Sequence, residues 1–145
     1  VKVSPDKHIL FDFDDALDIE KKGAPFIQYS HARACSILRA AEEQGYAVNN
    51  EYDAALLKEP SEIALIKKLS QLDFVVEAAA TDLKVHQVAK YARELAESFN
   101  LFYKDCPVLI AEADLRKARL ALVDCARIGV RDALAVLGIE APDEM

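Results

Sequence analysis

Glycine is scarce in this chain, at 4 of 145 residues, and proline nearly as scarce at 5. Few turn formers mean few turns, so the elements must be long. That favours helices over a many-stranded sandwich. An apolar run of about 18 residues, enough to span a membrane, is missing. Residues 1–16 interrupt their apolar stretch with acids and lack a small-residue cleavage site, so they do not form a signal peptide. They also lack an initiator Met, from which we expect a piece of a longer chain. The three cysteines, Cys35, Cys106 and Cys125, are odd in number and far apart, with no C-x-x-C pair. This argues against a disulfide framework and leads us to expect buried free thiols in a reducing cytoplasm.

What is present fits one globular domain. Hydrophobic residues make up 52% and charged residues 30%, and the length supports a real core. The net charge of −7 argues against a partner gripped by charge alone. The acids are concentrated at the ends: residues 1–20 carry −4 and residues 140–145 carry −3, leaving the middle neutral. Within that middle, residues 116–131 hold five bases against one acid, Asp124. On the residues alone this is the solvated face of a long helix.

The spacing of apolar residues along the chain predicts helices. Residues 1–22 are the least helical part, with a short strand expected at 8–13 followed by an acidic turn. Pro25 suits the first turn of a helix running to about Gln44, which Gly45 ends. Residues 46–58 read as a connection with one helical turn at 53–57. Pro60 opens a helix over 61–80 that is expected to lie at the centre of the core, burying Ile63, Leu65, Ile66, Leu69, Leu72, Phe74, Val75 and Val76. Asp82 is placed as the cap of a helix over 83–103, whose three-and-four spacing is the clearest helical pattern here. Pro107 stops it. The last helix covers about 111–137, with Leu115, Ala118, Leu122, Cys125, Ile128, Ala133 and Val136 inward and Gly138 as its stop. Gly129 inside it costs roughly 1 kcal/mol relative to Ala and suits a close helix approach. The sum is an all-α, antiparallel bundle of four to five helices with a short non-helical N-terminal segment.

Several motifs suggest chemistry and fall short. Asp12 and Asp14, in ILFDFDDAL, resemble the haloacid-dehalogenase nucleophile and acid/base pair. Ala16 and Asp15 depart from that signature, and the remaining pattern is not βαβ. His31 and Cys35 share a helix face, but a zinc site needs three or four ligands and the other His and Cys residues are scattered. A hydrogen-bonded buried pair is the plainer reading. There is no Gly-rich phosphate loop. No catalytic and no metal-binding residue is assigned. The aromatics Tyr29, Tyr91, Phe99, Phe102 and Tyr103 belong by default to the core. RNA binding would require some of them exposed, because unpaired bases stack on flat side chains.

The run from Ala24 to Leu38, APFIQYSHARACSIL, resembles the segment G-P-Y/F-x-Q-Y-x-H-A-R-x-x-S-I-L of the arginyl-tRNA synthetase family. The preceding EKKG replaces the family's Glu-Gly-Thr-Gly-like run, a loop difference. Residues 91–103, YARELAESFNLFY, with the following Cys-Pro-Val-Leu, and residues 119–145, ending LGIEAPDEM, resemble the family's long helix, loop and closing L-G-I-x-x-P-x-x-M. The resemblance covers about residues 9–145. It implies the carboxy-terminal anticodon-binding (DALR) bundle of a class I synthetase, with residues 1–22 as the link from a catalytic domain and 23–145 as the bundle. The implied partners are the anticodon loop of tRNA(Arg) and the catalytic domain of the same polypeptide, with no membrane. Carried over residue by residue, Tyr29 and Tyr103 would be platforms for anticodon bases, Asn100 a polar group beside them, and Met145 the closing residue. Arg33, Arg116, Arg119 and Arg127 would contact backbone phosphates. The family's His-x-Gly-His and Lys-Met-Ser-Lys-like signatures are absent. The segment is therefore expected to be non-catalytic and free of cofactors, with ATP and Mg serving the full-length ligase. The alternative is a stand-alone helical module for RNA or protein interaction.

Overall fold

The computed structural model describes residues 23–46 and 51–145. The strand, acidic turn and linker expected over 1–22 lie outside the described residues. Five α-helices and no strand occur among those described: α1 Ala24–Glu43, α2 Pro60–Leu69, α3 Leu72–Asp82, α4 His86–Asp105 and α5 Ala113–Val136, with a 3-10 turn at Ala54–Leu56. The expected helical turn at 53–57 is this 3-10 turn. Asp53 caps it by accepting from the Ala55 amide at 2.9 Å.

Local chemistry sets most helix ends. Pro25 sits in the first turn of α1, where its missing N–H costs nothing. At the other end Gly45 adopts φ 76°, and the amides of Gly45 and Tyr46 return to the carbonyls of Glu42 and Ala41. This double closure satisfies carbonyls the helix leaves open. Gly138, at φ 69°, repeats the device after α5. It reverses the chain, sending residues 139–145 back along the bundle. Glu59 and Glu62 form a reciprocal cap at the start of α2.

The centre of the core is α4, which packs against all four other helices. Its Val88, Tyr91, Ala92, Leu95, Ala96, Phe99 and Phe102 are buried, at spacings of three and four. The helix expected over 61–80 is instead two helices. They part at Ser70–Gln71, where the Ser70 hydroxyl donates back to the Lys67 carbonyl at 3.0 Å and competes with the regular ladder. Nor is this segment central. Leu65 is buried and Leu69, Leu72 and Val75 pack half-buried on the core, but Ile63, Ile66 and Phe74 are exposed. Asp82 ends α3 rather than capping the next helix, and Leu83 closes α3 in the left-handed conformation (φ 56°). In α5, Cys125 and Val136 are exposed rather than inward, while Cys35 and Cys106 are buried as expected.

Gly129 is where α5 meets α2. A Cβ there would stand 2.8 Å from Leu69 Cδ2 and 3.4 Å from Leu95 Cδ2, so only glycine permits this approach without displacement. The same two helices share a buried ion pair. Arg119 Nε donates to Glu62 Oε1 at 2.7 Å and its Nη1 to the Pro107 carbonyl at 2.7 Å. The other carboxylate oxygen of Glu62 accepts from the Glu59 amide at 2.9 Å. This pair joins α2, α5 and the loop after α4.

Candidate nucleic-acid interface

An open cleft of about 510 Å³ lies where α1, the end of α4 and the closing segment meet. From α1 it is lined by Tyr29, Ala32, Arg33, Ser36, Ile37 and Arg39, joined by Tyr103, Glu144 and Met145. The α1 positions recur every three or four residues, so one helix face supplies them.

Tyr29 and Tyr103 are 47% and 43% exposed, whereas Tyr91, Phe99 and Phe102 are buried. Burial raises the Tyr91 hydroxyl to about 12, and it donates to the Lys68 carbonyl at 3.0 Å. Only two of the five aromatics considered thus offer a face to a partner. Between those two lies Arg33, its guanidinium carbon 4.7 Å from the Tyr29 ring centre and 5.2 Å from that of Tyr103. These are cation–π distances. Arg33 also donates to the Tyr29 hydroxyl at 3.0 Å and to Asn100 Oδ1 at 3.2 Å. Asn100 in turn donates to the Ser30 hydroxyl at 2.9 Å, which donates to the Phe26 carbonyl at 3.0 Å. This relay ties the arginine to the buried edge of α1. Asn100 therefore orients Arg33 from beneath rather than lining the cleft.

The other sequence-predicted arginines are not brought here. Arg119 is 7% exposed and committed to Glu62 and Pro107, so it faces the core rather than a phosphate. Arg116 lies over the Tyr46 ring at 3.8 Å and donates to the carbonyls of Leu109 and Ala111, holding the α4–α5 loop. Arg127 pairs with Asp124 on its own helix at 2.8 Å. The cleft's second arginine is Arg39, which sequence reasoning missed. It pairs with Glu144 at 2.8 Å, with both side chains well exposed. The helical spacing from Tyr29 through Ser36 to Arg39 was the available signal.

Beneath the closing segment, His31, Cys35 and Asp143 bring potential ligand atoms within 4.8 Å of one another. The pair seen in the sequence thus gains a third member. Its present geometry is that of hydrogen bonding. His31 Nδ1 meets the Pro142 carbonyl at 2.9 Å, and the Cys35 thiol donates to Asp143 at 3.4 Å. Burial, and then that carboxylate, push the Cys35 thiol up to about 11, so it keeps its proton at neutral pH. A metal would need the thiolate and a further ligand.

Among the described residues, no helix is long and apolar enough to cross a membrane. The model of the DALR anticodon binding domain family matches residues 27–145. Arginine–tRNA ligase of Methanocella arvoryzae is 53% identical over 145 residues, covering the whole chain and 25% of that protein. The ligase of Methanosarcina mazei is 54% identical, over all of this chain and 26% of its own length. The chain thus spans about a quarter of the length of these curated relatives. Among solved structures, Thermus thermophilus arginyl-tRNA synthetase aligns over 100% of this chain and 25% of its own, with a TM-score of 0.87 and 36% identity. A putative arginyl-tRNA synthetase from Campylobacter jejuni shares the fold, at a TM-score of 0.82 and 21% identity, over 99% of this chain and 31% of its own.

Proposed function

The chain belongs to the DALR anticodon-binding domain family, and from that premise we propose that it reads the anticodon loop of an arginine tRNA as the carboxy-terminal part of an arginyl-tRNA synthetase. The observation that carries this reading is the pair of exposed tyrosines around Arg33. Unpaired bases are held by stacking on aromatic and guanidinium planes, and this cleft offers both within one opening. Tyr29 and Tyr103 act as stacking platforms, Arg33 supplies positive charge between them, and Asn100 keeps Arg33 in place. Met145 closes the opening. Arg39 is the better-placed partner for a phosphate, whereas Arg116 and Arg127 lie outside the cleft and Arg119 serves the core.

The acidic net charge fits a domain that recognises by stacking and hydrogen bonding more than by charge. The cytosine at the middle of arginine anticodons is the specific base. Arginine activation with ATP and Mg²⁺, and transfer to tRNA, belong to a catalytic domain of the full-length polypeptide in the cytoplasm. This segment contributes recognition and no catalytic group.

The test is binding to an arginine anticodon stem-loop and to one with its middle cytosine replaced, at low and moderate salt. Selective binding that persists at moderate salt supports anticodon reading. Equal binding to both, vanishing with salt, reports charge alone and favours a stand-alone interaction module instead.

A further inference from the structure

Gly138 turns the chain back onto α1, and four side chains of that helix hold the returning tail, residues 139–145. Gln28 Nε2 donates to the Glu140 carbonyl at 2.8 Å. His31 Nδ1 meets the Pro142 carbonyl at 2.9 Å, Cys35 meets Asp143 at 3.4 Å, and Arg39 pairs with Glu144 at 2.8 Å. Positions 28, 31, 35 and 39 form one edge of α1, beside the face that carries Tyr29 and Arg33. Met145 then lies in the cleft.

The first two contacts go to backbone carbonyls, so they set the path of the tail whatever its side chains are. A carbonyl can only accept, so His31 Nδ1 must carry the proton. His31 is 1% exposed, so water is poorly placed to replace this bond if it is lost. Neither Gln28 nor His31 lines the cleft.

We propose that His31, assisted by Gln28, is a positioning residue for anticodon recognition, acting on the RNA only through the tail by fixing where Met145 stands. The binding consequence rests on the anticodon reading above; the latch can be measured without RNA.

The first experiment follows release of Met145 from the 145-residue chain by a carboxypeptidase. His31→Ala should speed release about fivefold or more, because cleavage tracks the population of the open tail and a lost hydrogen bond raises it by that order. His31→Asn, whose amide nitrogen stands near the place of Nδ1, should restore slow release, and His31→Gln should not. Gln28→Ala, at a half-buried position, should speed release too and answers the question if His31→Ala does not fold. Unchanged release in folded His31→Ala and Gln28→Ala would overturn the latch.

The second experiment measures affinity for the arginine anticodon stem-loop. His31→Ala and Met145→Ala should each weaken binding, and the double variant should bind no worse than Met145→Ala alone. Fully additive losses would mean that His31 does not act through the tail. A wild-type chain that ignores the middle base would sink the anticodon reading, while the release rates would still decide whether His31 holds the tail.

Discussion

Glu62 and Arg119 show how much one residue's surroundings decide. Each is an ordinary helical charge by type, yet both are buried and bonded to each other. Removing one partner leaves the other charge desolvated and alone. Glu62→Ala should therefore cost about 3–5 kcal/mol in urea unfolding, far more than loss of an exposed pair such as Lys117–Asp114. The Cys35 thiol couples stability to pH. Its pKa moves from the usual 9.0 to about 11 in the folded state, chiefly through burial. Below pH 9 both states hold the proton and the contribution is complete. As pH rises from 9 towards 11 the unfolded thiol ionises first, so stability falls. Urea unfolding at about pH 8 and about pH 10.5 should show this loss, and Cys35→Ala should make it shallower. Tyr91, raised to about 12, adds a loss in the same direction at higher pH. Burial of Cys35 and Tyr91 was legible in the sequence; the pairing of Glu62 with Arg119 was not. Arg119 reads as part of a basic stripe because its spacing from Arg116 and Arg127 is helical. Only the presence of α2 opposite it turns it inward.

At the scale of elements, the ends of α1 and α5 were legible because proline and glycine act within a single turn. The divide between α2 and α3 was not. It contains neither residue, and an apolar run through 61–80 conceals it. Inclusion of Ile63, Ile66 and Phe74 in the expected core failed because hydrophobicity states what a side chain favours, not which helix is near enough to cover it. Central place in the bundle fell to α4, whose buried face includes two alanines, Ala92 and Ala96, that let neighbours approach. Gly129 marks a similar approach between α5 and α2. Gly129→Val should overpack this contact and destabilise the domain by about 1–3 kcal/mol, read from the midpoint of urea unfolding. A stability equal to wild type would mean that Leu69 and Leu95 yield freely.

For the whole molecule, the cleft exists because three distant stretches converge. Tyr29 comes from the first described helix, Tyr103 from the fourth, and Met145 from the returning tail. Tyr29→Ala and Tyr103→Ala should each weaken anticodon stem-loop binding by roughly 1–3 kcal/mol, the range of a lost base stack. Because both side chains are substantially exposed, far-UV circular dichroism should stay unchanged. Unfolding of either variant would reassign that tyrosine to the core.

Residue type and order were enough for the helical class, the stops at Gly45 and Gly138, and the resemblance to a tRNA-binding family. Those features depend on residue type and spacing over one or two turns, or on a pattern of ordered blocks. Helix packing exposes the Tyr29 and Tyr103 that the resemblance singled out, and it turns Arg119 inward and brings Arg39 to the cleft, neither of which the sequence revealed. The tertiary structure also places Pro142 on His31, a contact 111 residues apart in the chain. Such pairings depend on how helices pack and where the chain reverses. A side chain's local periodicity assigns it to a face, but its neighbour is set by the elements that come to cover that face.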